Sequence, residues 1–171
     1  SNYLMIDQIV QFIAQTFKGS SPEFLTALFS ALPVIELRAA IPIGIKFFGL
    51  SASSAFLAAW VGNTIAGIGF LYILGPIERL FLAHSPKWSA LVKRQLNAAR
   101  DKFSGTHAKY GVLGLIVFIA IPLPLTGAWT GAAAAHVMGL PKKMAALSIA
   151  LGVLGAALLV TLATVGVIKI F

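Results

Sequence analysis

With 171 residues, a net charge of +8, 58% hydrophobic and only 11% charged residues and a mean hydropathy of +0.92, the chain lacks the make-up of a soluble domain, which is about half apolar and about a quarter charged. So much apolar surface requires lipid as solvent, and the positive charge then reads as an orientation signal beside an anionic leaflet rather than a nucleic-acid contact. The absence of cysteine excludes disulfides, thiol nucleophiles and thiolate metal sites.

Residues 3–18 place Tyr3, Ile6, Ile9, Val10, Ile13 and Phe17 on one helical face and mostly polar residues on the other. The stretch is short and polar for a span, so an interfacial helix is expected. Asp7 interrupts this stretch and no basic run precedes it, so the pattern of a cleaved leader is not expected. Ser21 and Pro22 read as N-cap and first residue of a new helix. Residues 22–48 are apolar but punctuated by Pro33, Glu36, Arg38, Pro42 and Gly44, whereas 52–74 run without interruption and are long enough to cross a bilayer.

After Gly75-Pro76 the character changes. Residues 77–110 carry Arg79, Lys87, Lys93, Arg94, Arg100, Lys102 and Lys109 against only Glu78 and Asp101, and predict a basic amphipathic segment along the cytoplasmic surface. Residues 111–138 are apolar again but broken by Pro122, Pro124, Gly127 and Gly131, and 142–168 form a second clean span behind Lys142 and Lys143.

Shifted by ninety positions, the two halves fall into register: Gly49-Leu50 lands on Gly139-Leu140, and Gly62 on Gly152. The shared order is an interrupted apolar segment, Gly-Leu, then a clean span. Paired Pro/Gly-interrupted segments in two halves mark transport folds with a site at the repeat interface. Proline in a helix interior costs about 3 kcal/mol, and each half-segment would span roughly 17–20 Å as a helix, about half a bilayer. Two readings fit those lengths: re-entrant hairpins with tips near mid-membrane, or kinked spanning helices. Charge favours hairpins, which return Lys142 and Lys143 to the side of the basic stretch. Irregular backbone at that depth must be buried in protein or face a wet cavity, so the two tips are expected to meet.

The fold class is therefore an all-α integral membrane protein, an inverted repeat of re-entrant hairpin plus transmembrane helix with amphipathic surface helices. Two spans and two hairpins bury one another poorly, which makes a homodimer an expectation.

Glu36 and Arg38 are the only ionisable residues between Phe24 and Ile45, and ionisable groups at membrane depth default to function. At a broken tip both could address one cavity, Glu36 exchanging a proton and Arg38 holding an anionic group; alternatively they form an ion pair that fixes the tip. The second tip offers Thr126, Trp129 and Thr130, whose hydroxyls could equally satisfy carbonyls of the broken helix. Asn63 is either an interhelical hydrogen bond or a lining group. Lys46 and His136 correspond near the hairpin exits and read as snorkelling side chains. His84 and His107 need no special role, no metal or other cofactor is expected, and without HExxH, GxSxG or P-loop patterns no enzyme is expected.

Pro33-Val34-Ile35-Glu36-Leu37-Arg38-Ala39-Ala40-Ile41-Pro42 and Ile121-Pro122-Leu123-Pro124-Leu125-Thr126-Gly127-Ala128-Trp129-Thr130-Gly131 resemble the small multidrug export protein family, relatives of the DedA membrane proteins. The resemblance implies a prokaryotic cytoplasmic-membrane protein with two re-entrant hairpins in inverted repeat. It also implies transport of a small amphipathic, drug-like or lipid-like substrate, with proton coupling through Glu36 an open option. A lipid scramblase, or a non-transporting membrane-organisation protein of DedA type, is the alternative. Ile119 and Leu125 stand where the wider DedA pattern has two arginines, which weakens any carry-over of phosphate-lipid binding.

Overall fold

The computed structural model describes residues 19–84, 93–94, 96–98, 101, 107–123 and 126–170. The interfacial helix expected over 3–18, most of the basic stretch beyond His84, and Pro124 lie outside them. The elements among the described residues are helices: α1 (Pro22–Ala31), α2 (Glu36–Lys46), α3 (Ala52–His84), α4 (His107–Ala120), α5 (Ala128–Val137) and α6 (Lys142–Ile170). Two of them, α3 and α6, are long and apolar enough to cross a membrane. Large apolar side chains such as Ile65, Leu80, Leu113 and Leu162 lie exposed along the helices, the outer surface expected of a chain solvated by lipid.

Local chemistry sets the ends of the first pair. Ser21 Oγ accepts from the Phe24 N–H at 3.2 Å, and Pro22 takes a position whose N–H would be unpaired in any case. Leu32, preceding Pro33, leaves the helical region with ψ 135° and ends α1. After the turn, α2 doubles back along α1. Gly44 near its end lies against Thr26 near the start of α1 and against Ala55 in the first turn of α3. Gly49, at φ +67°, then reverses the chain into α3, and Gly139, at φ +69°, does the same between α5 and α6.

Two breaks expected from the sequence do not occur. The segment beginning at Ala52 does not stop at Gly75-Pro76; α3 continues through Pro76 to His84. Proline removes only its own donor, which leaves the Tyr72 carbonyl without its helical partner. At that turn Lys142 Nζ donates to the Leu71 carbonyl at 2.5 Å and lies 5.6 Å from the centre of the Tyr72 ring, so a neighbouring helix supports the weakened turn. Pro42 likewise breaks nothing: it sits inside α2, and the carbonyl it deprives of a helical partner belongs to Arg38, at the edge of the site described below.

Small residues let the helices approach. The core is built from Ala40, Ala59, Ala128, Ala132 and Ala157 with Leu37, Ile41, Ile149 and Val153, a composition that suits close backbone packing in lipid. Gly62 faces the Ala27 carbonyl on α1, and Gly152 faces Ile119, whose Cβ a side chain there would meet at 2.6 Å, on α4. Trp60 Nε1 donates to the Ala150 carbonyl at 3.0 Å and ties α3 to α6. Gly62→Ala is expected to cost about 1–3 kcal/mol by overpacking against backbone. Gly69→Ala, where nothing lies within 4 Å, is expected to be neutral or to gain about 0.5–1 kcal/mol. Thermal unfolding of both variants in detergent checks this pair.

Candidate functional site

The two breaks in the helices meet. The first lies between α1 and α2, at Leu32–Ile35, and the second between α4 and α5, at Ile121–Gly127. Three contacts join them. Trp129 Nε1, in the first turn of α5, donates to the Ala31 carbonyl at the end of α1 at 3.1 Å. Arg38 Nη2 donates to the Thr126 carbonyl and lies 3.2 Å from Thr126 Oγ1. The Glu36 carboxylate packs directly on Gly127, so closely that a Cβ there would collide with it.

Glu36 is the pivot. It begins α2 at φ +49°, in the left-handed region, which costs a non-glycine residue of order 1 kcal/mol and persists where the surroundings demand it. Its carboxylate faces the Trp129 backbone N–H and lies 3.6 Å from Arg38 Nη2. An anion at that place meets the unpaired N–H groups and positive dipole end of α5. Gly127 takes the extended cap position (φ −154°), and its own N–H donates to Thr130 Oγ1 at 2.9 Å. Glu36 is 7% exposed, while the Arg38 side chain is 25% exposed.

Thr126 holds the second break in shape. Its hydroxyl bonds the Ile121 carbonyl at 2.6 Å and the Leu123 carbonyl at 2.8 Å, satisfying groups the broken helix leaves open. A cavity of about 570 Å³ opens beside this junction, lined by Pro33, Ile35, Glu36, Arg38, Trp129 and Thr130 among others. Arg38 and Pro122 also line a second groove of about 500 Å³, between α2 and α6. Asn63 reaches the same junction from α3, packed with Glu36, Arg38, Thr126 and Gly127. It is 1% exposed, and its Oδ1 has no hydrogen-bond partner among the described residues.

The structure thus brings Glu36, Arg38, Asn63, Thr126, Trp129 and Thr130 to one junction, with Pro33, Pro122 and Gly127 at the breaks. Pro42 flanks it on the groove side. Sequence reasoning missed the seat that Gly127 makes for Glu36. It also read His136 as a snorkelling side chain, whereas His136 Nε2 lies 2.6 Å from Glu78 Oε2, 58 positions away. Lys46 is exposed at the mouth of the groove. His84 bonds only within its own helix among the described contacts, through Nδ1 to the Leu80 carbonyl at 2.9 Å.

The family model described as "Putative small multi-drug export protein" matches residues 36–159, beginning at Glu36 itself. No curated protein and no solved structure matches the chain.

Proposed function

Because the chain belongs to the small multi-drug export family, we propose that this membrane protein carries a small amphipathic substrate through the junction where its two broken apolar segments meet. The observation that carries this reading is the junction itself. An acid and an arginine, set in apolar sequence, are held at facing helix breaks beside a cavity of about 570 Å³. Ionisable groups and irregular backbone at membrane depth occur where a wet path or a substrate needs them.

The finer architecture of this reading is an inverted repeat of two re-entrant hairpins. Helices α1 and α2, of 10 and 11 residues, are each about 15–17 Å long, half the thickness of a hydrocarbon core. The ninety-residue register supports the repeat. It pairs Gly49 with Gly139, both at positive φ, and Gly62 with Gly152, which pack on α1 and α4, the first short helix of each half. It also pairs Glu36 with Thr126, the residues that Arg38 bridges. Such symmetry allows one half to rock against the other around a fixed site. In this reading the membrane is the cytoplasmic one, with the basic stretch inside, and Glu36 couples movement to protons.

Reconstituted flux tests the proposal. Proteoliposomes are loaded with a cationic amphiphilic dye, an anionic one or a labelled lipid, with and without a pH gradient. Protein-dependent flux of at least one probe, accelerated by the gradient, is the expected result. Rates equal to those of empty liposomes for every probe would remove transport from the account and leave a membrane-organising role.

A further inference from the structure

The groove between α2 and α6 lies outside the cavity at the junction, and Arg38 and Pro122 line both. Its walls are Pro42 on α2 and Leu159, Val160, Ala163 and Val167 on α6, apolar apart from Thr164, whose hydroxyl donates back to the Val160 carbonyl at 2.7 Å. Leu159 and Val167 are about half exposed, so the groove opens on the lipid-facing side of the molecule. Its charged groups are Arg38 at the inner end and Lys46 at the mouth, and no acid lines it among the described residues. Along α2 these two cations are eight residues apart, about 12 Å. At about 500 Å³ the groove is in the range that encloses one drug-sized molecule.

We infer that this groove takes a single-chain amphiphile with a carboxylate head, its apolar chain along α6 and its head passing from Lys46 to Arg38. The inference rests on the reading of the junction as a substrate path, and it names the class of substrate. Charge complementarity decides the sign. A cationic head would meet two cations in the groove and no acid on its walls, the Glu36 carboxylate 3.6 Å from Arg38 offsetting only one of the two charges, and beside lipid the remaining repulsion is poorly screened. A carboxylate meets a flexible ammonium at the mouth and a planar guanidinium at depth, the geometry that matches it best. The Arg38 Nη2 already committed to Thr126 holds the guanidinium in place while its remaining nitrogens stay available as donors. The volume accommodates one chain, so a two-chain phospholipid is not the expected occupant.

A hexadecanoate carrying a photoreactive diazirine on its chain tests this, applied to the protein in lipid nanodiscs with the crosslinked peptide mapped by mass spectrometry. Crosslinks are expected within 159–167, displaced by unlabelled hexadecanoate and not by hexadecyltrimethylammonium. Lys46 is exposed and makes no hydrogen bond or ion pair among the described residues, so Lys46→Gln is expected to fold normally and to weaken labelling about fivefold, the equivalent of one charge near a membrane surface. Displacement by the cation as readily as by the carboxylate would overturn the inference, as would no labelling of 159–167 or no effect of Lys46→Gln. Displacement by phosphatidylglycerol at lower concentration than by hexadecanoate would assign the groove to a bilayer lipid and overturn it too. The two readings separate cleanly. Carboxylate binding without protein-dependent flux keeps the groove's ligand and removes the transporter, whereas flux of a cationic dye without carboxylate binding does the reverse.

Discussion

Glu36→Gln is expected to abolish the response of flux to a pH gradient while lowering stability by only about 1 kcal/mol. The amide keeps the shape of the side chain and an acceptor for the Trp129 N–H, but it cannot take up a proton. Arg38 then loses its carboxylate at 3.6 Å but keeps both oxygens of Thr126 and its partial exposure to the cavity, so it is not left as an uncompensated buried charge. Arg38→Gln has the opposite profile. It removes one of the donors that tie the first break to the second and leaves the buried carboxylate without the cation beside it. Breaking a buried pair from that side is expected to cost about 3–5 kcal/mol, and adding Glu36→Gln is expected to recover much of the loss. Thermal unfolding in detergent and gradient-driven flux, measured on the two single variants and the double, separate coupling from architecture. Full pH-driven flux in Glu36→Gln would take proton coupling away from this residue. An Arg38→Gln variant as stable as Glu36→Gln would show that the bridge to Thr126 holds nothing together.

The candidate residues were legible because they break a simple local rule. An acid and an arginine in the middle of an apolar stretch, and prolines in the middle of helical ones, stand out from sequence alone. Gly49 and Gly139 stood out only as matching positions of the two halves; that both turn the chain at positive φ, which glycine adopts cheaply, is visible only in the structure. What remained illegible depends on partners far away in sequence. Nothing local says that Pro76 will be carried inside α3, because the support for that turn comes from Lys142 on another helix. Pro42 and Pro33 look alike as letters, yet one sits inside a helix and the other follows its end. The difference is whether the neighbouring packing holds the chain helical. The Glu78–His136 contact joins α3 to α5, and the seat of Glu36 on Gly127 joins α2 to the second break. Both could be anticipated only by folding the two halves onto each other, for which the ninety-residue register supplied the order but not the side-chain contacts.

The central claim is that the second broken segment returns to the side from which it started, so that its tip meets the first inside the membrane. The contacts of α3 are the basis for expecting this. Its far end, at Leu71 and Glu78, meets Lys142 and His136, which follow the second break, and that same end leads into the basic stretch. The chain has no cysteine, so single cysteines can be placed at Ser53, His84 and Lys143, all exposed, and labelled with a membrane-impermeant maleimide from each side. The account predicts that His84→Cys and Lys143→Cys label from one side and Ser53→Cys from the other. Labelling of Lys143→Cys from the same side as Ser53→Cys, with His84→Cys labelled from the opposite side, would mean that residues 111–138 cross the membrane and would contradict it.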